Sequence, residues 1–171
     1  MAVNVSPSNL VDEGFPEEVA ALLDRHAVPP TELVLEVTES LLMEDRQRAV
    51  SVLTRLRAMG VGIAIDDYGT GYSSLAYLAE LPVTELKLDR AFTATMTDPR
   101  TCAIVTSTLQ LAHALDLVLV AEGVEDQATL NALTRLGCDV VQGFHLSPPL
   151  PPDLLDAWLD ARSRPAVLPA A

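Results

Sequence analysis

Two textures of hydrophobic placement alternate along the chain. Short β-rich runs fall at 2–6 (AVNVS), 33–37 (LVLEV), 61–66 (VGIAID), 84–88 (TELKL), 117–122 (LVLVAE) and 139–143 (DVVQG). Their apolar stretches are mostly unbroken, as in strands covered on both faces. Between the runs, apolar residues recur at helical spacing. Ala49, Leu53 and Leu56 form one predicted face, Ile104, Thr108, Leu111 and Leu115 a second, and Leu130, Leu133 and Leu136 a third. Asp98 followed by Pro99 reads as an N-cap with proline at the first helical position. Gly60 and Gly137 each close a helix just before a strand. After the Pro-rich stretch SPPLPPDLL, one last short helix is expected near 154–161, and 163–171 reads as a disordered tail.

Six consecutive βα units predict an α/β fold with a parallel sheet, either a barrel or a doubly wound sheet. The polar residues separate the two. Asn4, Glu36, the pair Asp66–Asp67, Lys87, Glu122 and Gln142 all lie at or near the C-terminal ends of their strands. In a parallel barrel those ends meet at one mouth, whereas a doubly wound sheet spreads them over two faces. The shared phase therefore favours a partial TIM-like (β/α) barrel spanning residues 1–162.

Composition narrows the chemistry. The chain has 171 residues, a net charge of −13 and an aromatic content of only 4%, so its core is built from Ala, Val, Leu and Ile. Such an acidic chain cannot replace the counterions of a phosphate backbone, which argues against nucleic acid as a partner. No run is long enough to span a bilayer. Cys102 and Cys138 lack CxxC spacing and read as reduced thiols, consistent with a cytoplasmic location.

Taken singly, each polar residue has an ordinary reading. Asp66–Asp67 can cap a turn, Glu36 or Glu122 can face solvent, Asn4 can fray, and Gln142 can belong to a turn. Lys87 stands apart as the single lysine against ten arginines, held between Leu86 and Leu88. A compact ammonium is wanted there. Several carboxylates at one mouth repel one another unless cations neutralise them. Oxygen donors without His or Cys at ligand spacing select hard ions, Mg²⁺ or Mn²⁺, in a two-metal site. His26 and His113 fall in helical patterns, and His145 follows the last strand without an evident partner. Where the third strand ends, the backbone is expected to turn, so that Asp66 and Asp67 both address the pocket. Gly69 and Gly71 would let the next loop lie close beside it.

From about residue 2 to 159, the motifs NVS (4–6), LEVTES (35–40), DDYGTGYSSL (66–75), LKLDR (86–90), AEGVE (121–125) and QGF (142–144) resemble those of the EAL-domain family. These are bacterial phosphodiesterases that hydrolyse cyclic di-GMP. Tyr68 stands where the family usually has Phe. The resemblance implies that Asn4, Glu36, Asp66 and Glu122 bind a first metal while Asp67 reaches a second. It further implies that Lys87 polarises the attacking water, Glu39 tethers the loop after Asp67, and Glu125 and Gln142 support the site. Attack on one phosphorus, with departure of the 3′ oxygen, would give linear pGpG. Members commonly dimerise near the loop after the paired Asp.

The Glu-Ala-Leu motif that names the family does not occur in this chain. One metal ligand and a nearby phosphate-binding arginine are thus absent. The strand spacing, roughly 28 residues, agrees with the loss of the first two units of an eight-unit barrel of about 250 residues. Impaired activity is the expectation, and three readings of the gap stay open: the chain is a fragment of a longer protein, a homodimer or partner chain closes the barrel, or the fold is an open remnant with altered function. A non-catalytic nucleotide-binding or protein-interaction module is the alternative, and a metal-using enzyme that abstracts a proton beside a carboxylate is a third reading.

Overall fold

The computed structural model describes residues 1–38, 46–69 and 78–163. Six strands form one sheet: β1 (Ala2–Asn4), β2 (Val34–Thr38), β3 (Gly62–Tyr68), β4 (Glu85–Leu88), β5 (Val118–Ala121) and β6 (Val140–Val141). All neighbours run parallel, and the order in the sheet is the order in the chain. A doubly wound sheet reverses its order at a switch point, and this sheet has none. It is a half-barrel with helices on its outside.

The helices are α1 (Pro7–Leu10), α2 (Phe15–His26), α3 (Arg46–Ala58), α4 (Arg90–Thr93), α5 (Pro99–Ala114), α6 (Gln127–Leu136) and α7 (Pro152–Ser163). Strand alternation explains which residues meet them. Leu35, Val37, Ile63, Ile65, Leu86, Leu88, Leu119 and Ala121 are buried on the helix side. Glu36, Asp66 and Lys87 alternate with them and face the other way, toward the barrel interior. Helix α3 buries Ala49, Val52, Leu53 and Leu56, in line with its predicted face.

Helix α5 corrects its prediction. Ile104 is 47% exposed, while Val105, Thr108, Leu109 and Ala112 form the buried stripe. Its cap is as expected, with the Asp98 side chain accepting from Thr101 N and Pro99 at the first position. Gly137 closes α6 in the left-handed conformation, φ +80°. The last helix runs through Ser163, and residues 164–171 lie outside the described residues. Both cysteines are free. No helix among the described residues is long and apolar enough to cross a membrane.

Candidate active site

The site begins with an irregularity in β3. Ala64 and Ile65 pair with Glu85 and Leu86, but Leu88 pairs with Tyr68, so two residues of β3 oppose Lys87. Those residues are Asp66 and Asp67, and Asp67 takes φ +55°. This is a β-bulge, which kinks the strand and re-aims its side chains. The expected turn at a strand end is thus a bulge within a strand that continues to Tyr68. It lets adjacent carboxylates share one pocket, although neighbours in a regular strand point to opposite faces.

Lys87 is the centre of the acid cluster. Its Nζ lies 2.9 Å from Glu36 Oε1, 2.9 Å from Asp66 Oδ1 and 2.8 Å from Glu122 Oε1. The three carboxylates come from β2, from β3 and from the residue after β5. Burial alone would push the ammonium toward its neutral form, but the attraction of the three acids around it outweighs this and holds it firmly protonated. A lysine in that state is a donor and a fixed positive charge, not a base.

Burial pushes the Glu122 carboxyl above its ordinary range despite the Lys87 bond. Asp67 is also raised, first by burial and then by the charges of Asp66 and Asp89. Glu85, two residues before Lys87 on the same face, is raised by burial and by Glu36. One ammonium does not balance this many acids.

A divalent cation fits these residues. Carboxylate oxygens of Asp66, Asp67 and Glu122 lie within 4.8 Å of one another. Among the described residues Asp66 Oδ1 is buried and completes no hydrogen bond, although Lys87 Nζ lies 2.9 Å away. An all-oxygen donor set with a spare lone pair is the chemistry hard cations prefer.

Other predicted site residues fall around this core. Asn4 stands in register with Glu36 on the exposed edge strand β1. Gln142 follows β6, and its backbone N–H donates to Ala121 O at 2.8 Å. Gln142, Glu125 and Glu122 line a groove of about 550 Å³ that also includes Arg90, Phe144 and Trp158. Glu39 and Gly71 lie outside the described residues. His145 does have a partner, since its Nε2 lies 3.2 Å from Gln127 Oε1.

Sequence reasoning missed Asp89, Glu85 and Arg90. Asp89 lies beside Asp67, whose pKa it helps to raise, and also caps α4 by accepting from Ala91 N. The available signal was its place inside the LKLDR motif, two residues after Lys87.

The EAL domain family model matches residues 1–149, so the chain belongs to that family. The bifunctional diguanylate cyclase/cyclic di-GMP phosphodiesterase MucR of Pseudomonas aeruginosa is 47% identical over 156 residues, which cover 91% of this chain and 23% of that protein. The cyclic di-GMP phosphodiesterase RocR of the same organism is 43% identical, over 88% of this chain and 39% of its own length. The chain thus spans well under half of these curated relatives. Among solved structures, the EAL domain of Mycobacterium smegmatis DcpA superposes with a TM-score of 0.89 at 42% identity, covering 96% of this chain and 74% of that one. The PaMucR phosphodiesterase, solved as a c-di-GMP complex, gives 0.84 at 48% identity, with coverages of 90% and 63%. Within this family the chain supplies six βα units of the TIM-like barrel.

Proposed function

We propose that the chain is the metal-dependent phosphodiesterase half-barrel of a cyclic di-GMP signalling protein, acting in the cytoplasm and hydrolysing cyclic di-GMP to pGpG. The observation that carries this reading is the convergence of Glu36, Asp66 and Glu122, from two strands and the end of a third, on Lys87 Nζ. Kinship with proteins named as cyclic di-GMP phosphodiesterases supports it.

In this reading Asp66, Asp67, Glu122, Glu36 and Asn4 hold Mg²⁺ or Mn²⁺, and residues 1–162 act as one unit. Bound cations would neutralise phosphoryl oxygens and lower the pKa of water. Lys87, kept protonated by its three acids, donates toward the reacting oxygens and orients the attacking water. Glu125 and Gln142, at the groove beside Glu122, support that constellation, and Glu39 anchors the loop after Asp67.

Without the Glu-Ala-Leu glutamate one ligand of the set is missing, and turnover by this chain alone is weak. Incubation with cyclic di-GMP and Mg²⁺ or Mn²⁺, followed by chromatography, tests this. Slow, metal-dependent appearance of pGpG is expected, and conversion at the rate of a complete domain would contradict the impairment. A second reading, a nucleotide-binding module without catalysis, is favoured by the open edges at β1 and β6. Tight binding with no pGpG at any metal concentration would select it.

A further inference from the structure

Arg90 lines the groove beside Glu122, Glu125 and Gln142, at the first position of α4. It is exposed and, among the described residues, its side chain neither pairs with a carboxylate nor donates a hydrogen bond. That is unexpected on a chain of net charge −13. Arg46 and Arg55, by contrast, are paired with Glu80 and Glu17.

Its backbone is nevertheless fixed against the site. The fully buried Thr93 hydroxyl bridges Arg90 O at 3.0 Å and Glu122 O at 2.5 Å. Gly123, at φ +65°, approaches so closely that a Cβ there would stand 2.4 Å from Arg90 Cβ. The base of the arginine is therefore anchored to the backbone of the residue that meets Lys87, while the residue lines the groove with its guanidinium unpaired among the described residues.

A cyclic dinucleotide carries two phosphodiesters. With one at the Lys87 cluster, the other must lie along a mouth rich in carboxylates, and it needs a cation. On the reading given under Proposed function, we propose that Arg90 holds the phosphate that does not react. A guanidinium suits the role because it can present two parallel N–H donors to phosphate oxygens and stays charged at any working pH.

The test compares two ligands on the full chain with Mg²⁺, by equilibrium dialysis: cyclic di-GMP, and linear GpG, which has both bases but one phosphodiester. Arg90→Ala is expected to weaken cyclic di-GMP about tenfold, near the value of one charge-assisted contact, and to leave GpG unchanged. Arg90→Lys should recover part of the loss, since an ammonium still meets a phosphate as a point charge. Equal binding of cyclic di-GMP by wild type and Arg90→Ala would overturn the proposal, as would equal losses for both ligands, which mean contact with a base. Wild-type protein that binds neither ligand would overturn the functional reading itself. Unchanged melting of both variants separates these outcomes from misfolding.

Discussion

Lys87 Nζ and Asp66 Oδ1 stand 2.9 Å apart, yet among the described residues Asp66 Oδ1 completes no hydrogen bond. The ammonium is shared among three acids from different parts of the sheet. It holds the cluster together by charge and leaves a buried oxygen lone pair open to a harder, more highly charged ion.

Removing that ammonium should expose the repulsion it suppresses. Lys87→Met leaves Glu36, Asp66 and Glu122 facing one another in a pocket where their side chains are 11–19% exposed. Breaking a buried ionic cluster by deleting one sign costs about 3 kcal/mol. Melting curves should show the loss, and Mn²⁺ should restore more stability to the variant than it adds to wild type. Equal metal effects on both would show that the cation and the ammonium do not share these acids.

Asp67 tests the bulge. At φ +55° an unbranched polar residue is tolerated and a β-branched one is strained. Asp67→Asn should therefore fold like wild type, because Asn accepts this conformation, while losing the stabilisation by Mn²⁺ that a carboxylate confers. Asp67→Val should lose about 1–3 kcal/mol of stability whether or not metal is present. A stable Val variant would mean that β3 is not bulged at this residue.

Far from the mouth, Asp139 joins three elements. Its carboxylate accepts from Leu119 N at 2.9 Å and lies 3.0 Å from His113 Nε2 near the end of α5. Burial opposes the charge, but the Leu119 N–H and His113 prevail and hold its pKa below the usual Asp value. A lowered carboxyl pKa stabilises the fold above the unfolded-state pKa near 3.8, and the gain fades as pH falls through the folded value. Asp139→Asn should cost about 1 kcal/mol at neutral pH, because an amide oxygen can still accept from Leu119 N while the charge that strengthened the bond is lost. Denaturant titrations at several pH values should show the variant and wild type converging in acid. A gap that persists at pH 2 would assign the loss to packing rather than charge.

Much of this architecture was legible because one signal dominated each stretch. Leu56 stands between Arg55 and Arg57 and repeats at helical spacing from Leu53 and Ala49, and all three are buried. In α5 the signal was ambiguous. Apolar residues occur in the adjacent pairs Ile104–Val105 and Leu111–Ala112, so spacing allowed two overlapping faces, and packing selected Val105 over Ile104. The convergence of Glu36, Asp66, Lys87 and Glu122 followed from strand phase alone. The bulge did not, because an extra residue in a strand changes the pairing without changing the residues. Arg90 was equally silent, since its lack of a carboxylate partner among the described residues is a property of distances and not of sequence.

Gly143 gives the most direct test of how the groove is built. The chain returns from β6 so close to the β5 loop that a Cβ at Gly143 would lie 2.2 Å from both Val124 N and Val124 O. Those are backbone atoms, fixed in turn by hydrogen bonds from Val124 N to Gln142 O at 3.0 Å and from His145 N to Val124 O at 3.0 Å. No side chain can swing aside to make room, so Gly143→Ala must part the two loops and break this pair of bonds. The expected cost is about 2–4 kcal/mol, in the range of severe local disruptions. Because β6 is short and at the sheet edge, its amides should lose hydrogen-exchange protection first, while those of β3 and β4 keep theirs. Cyclic di-GMP affinity should fall with it, since Glu125, Gln142 and Phe144 all sit on the displaced loops. An alanine variant with unchanged exchange at Val124 and Gln142 would mean that the two loops do not make this contact.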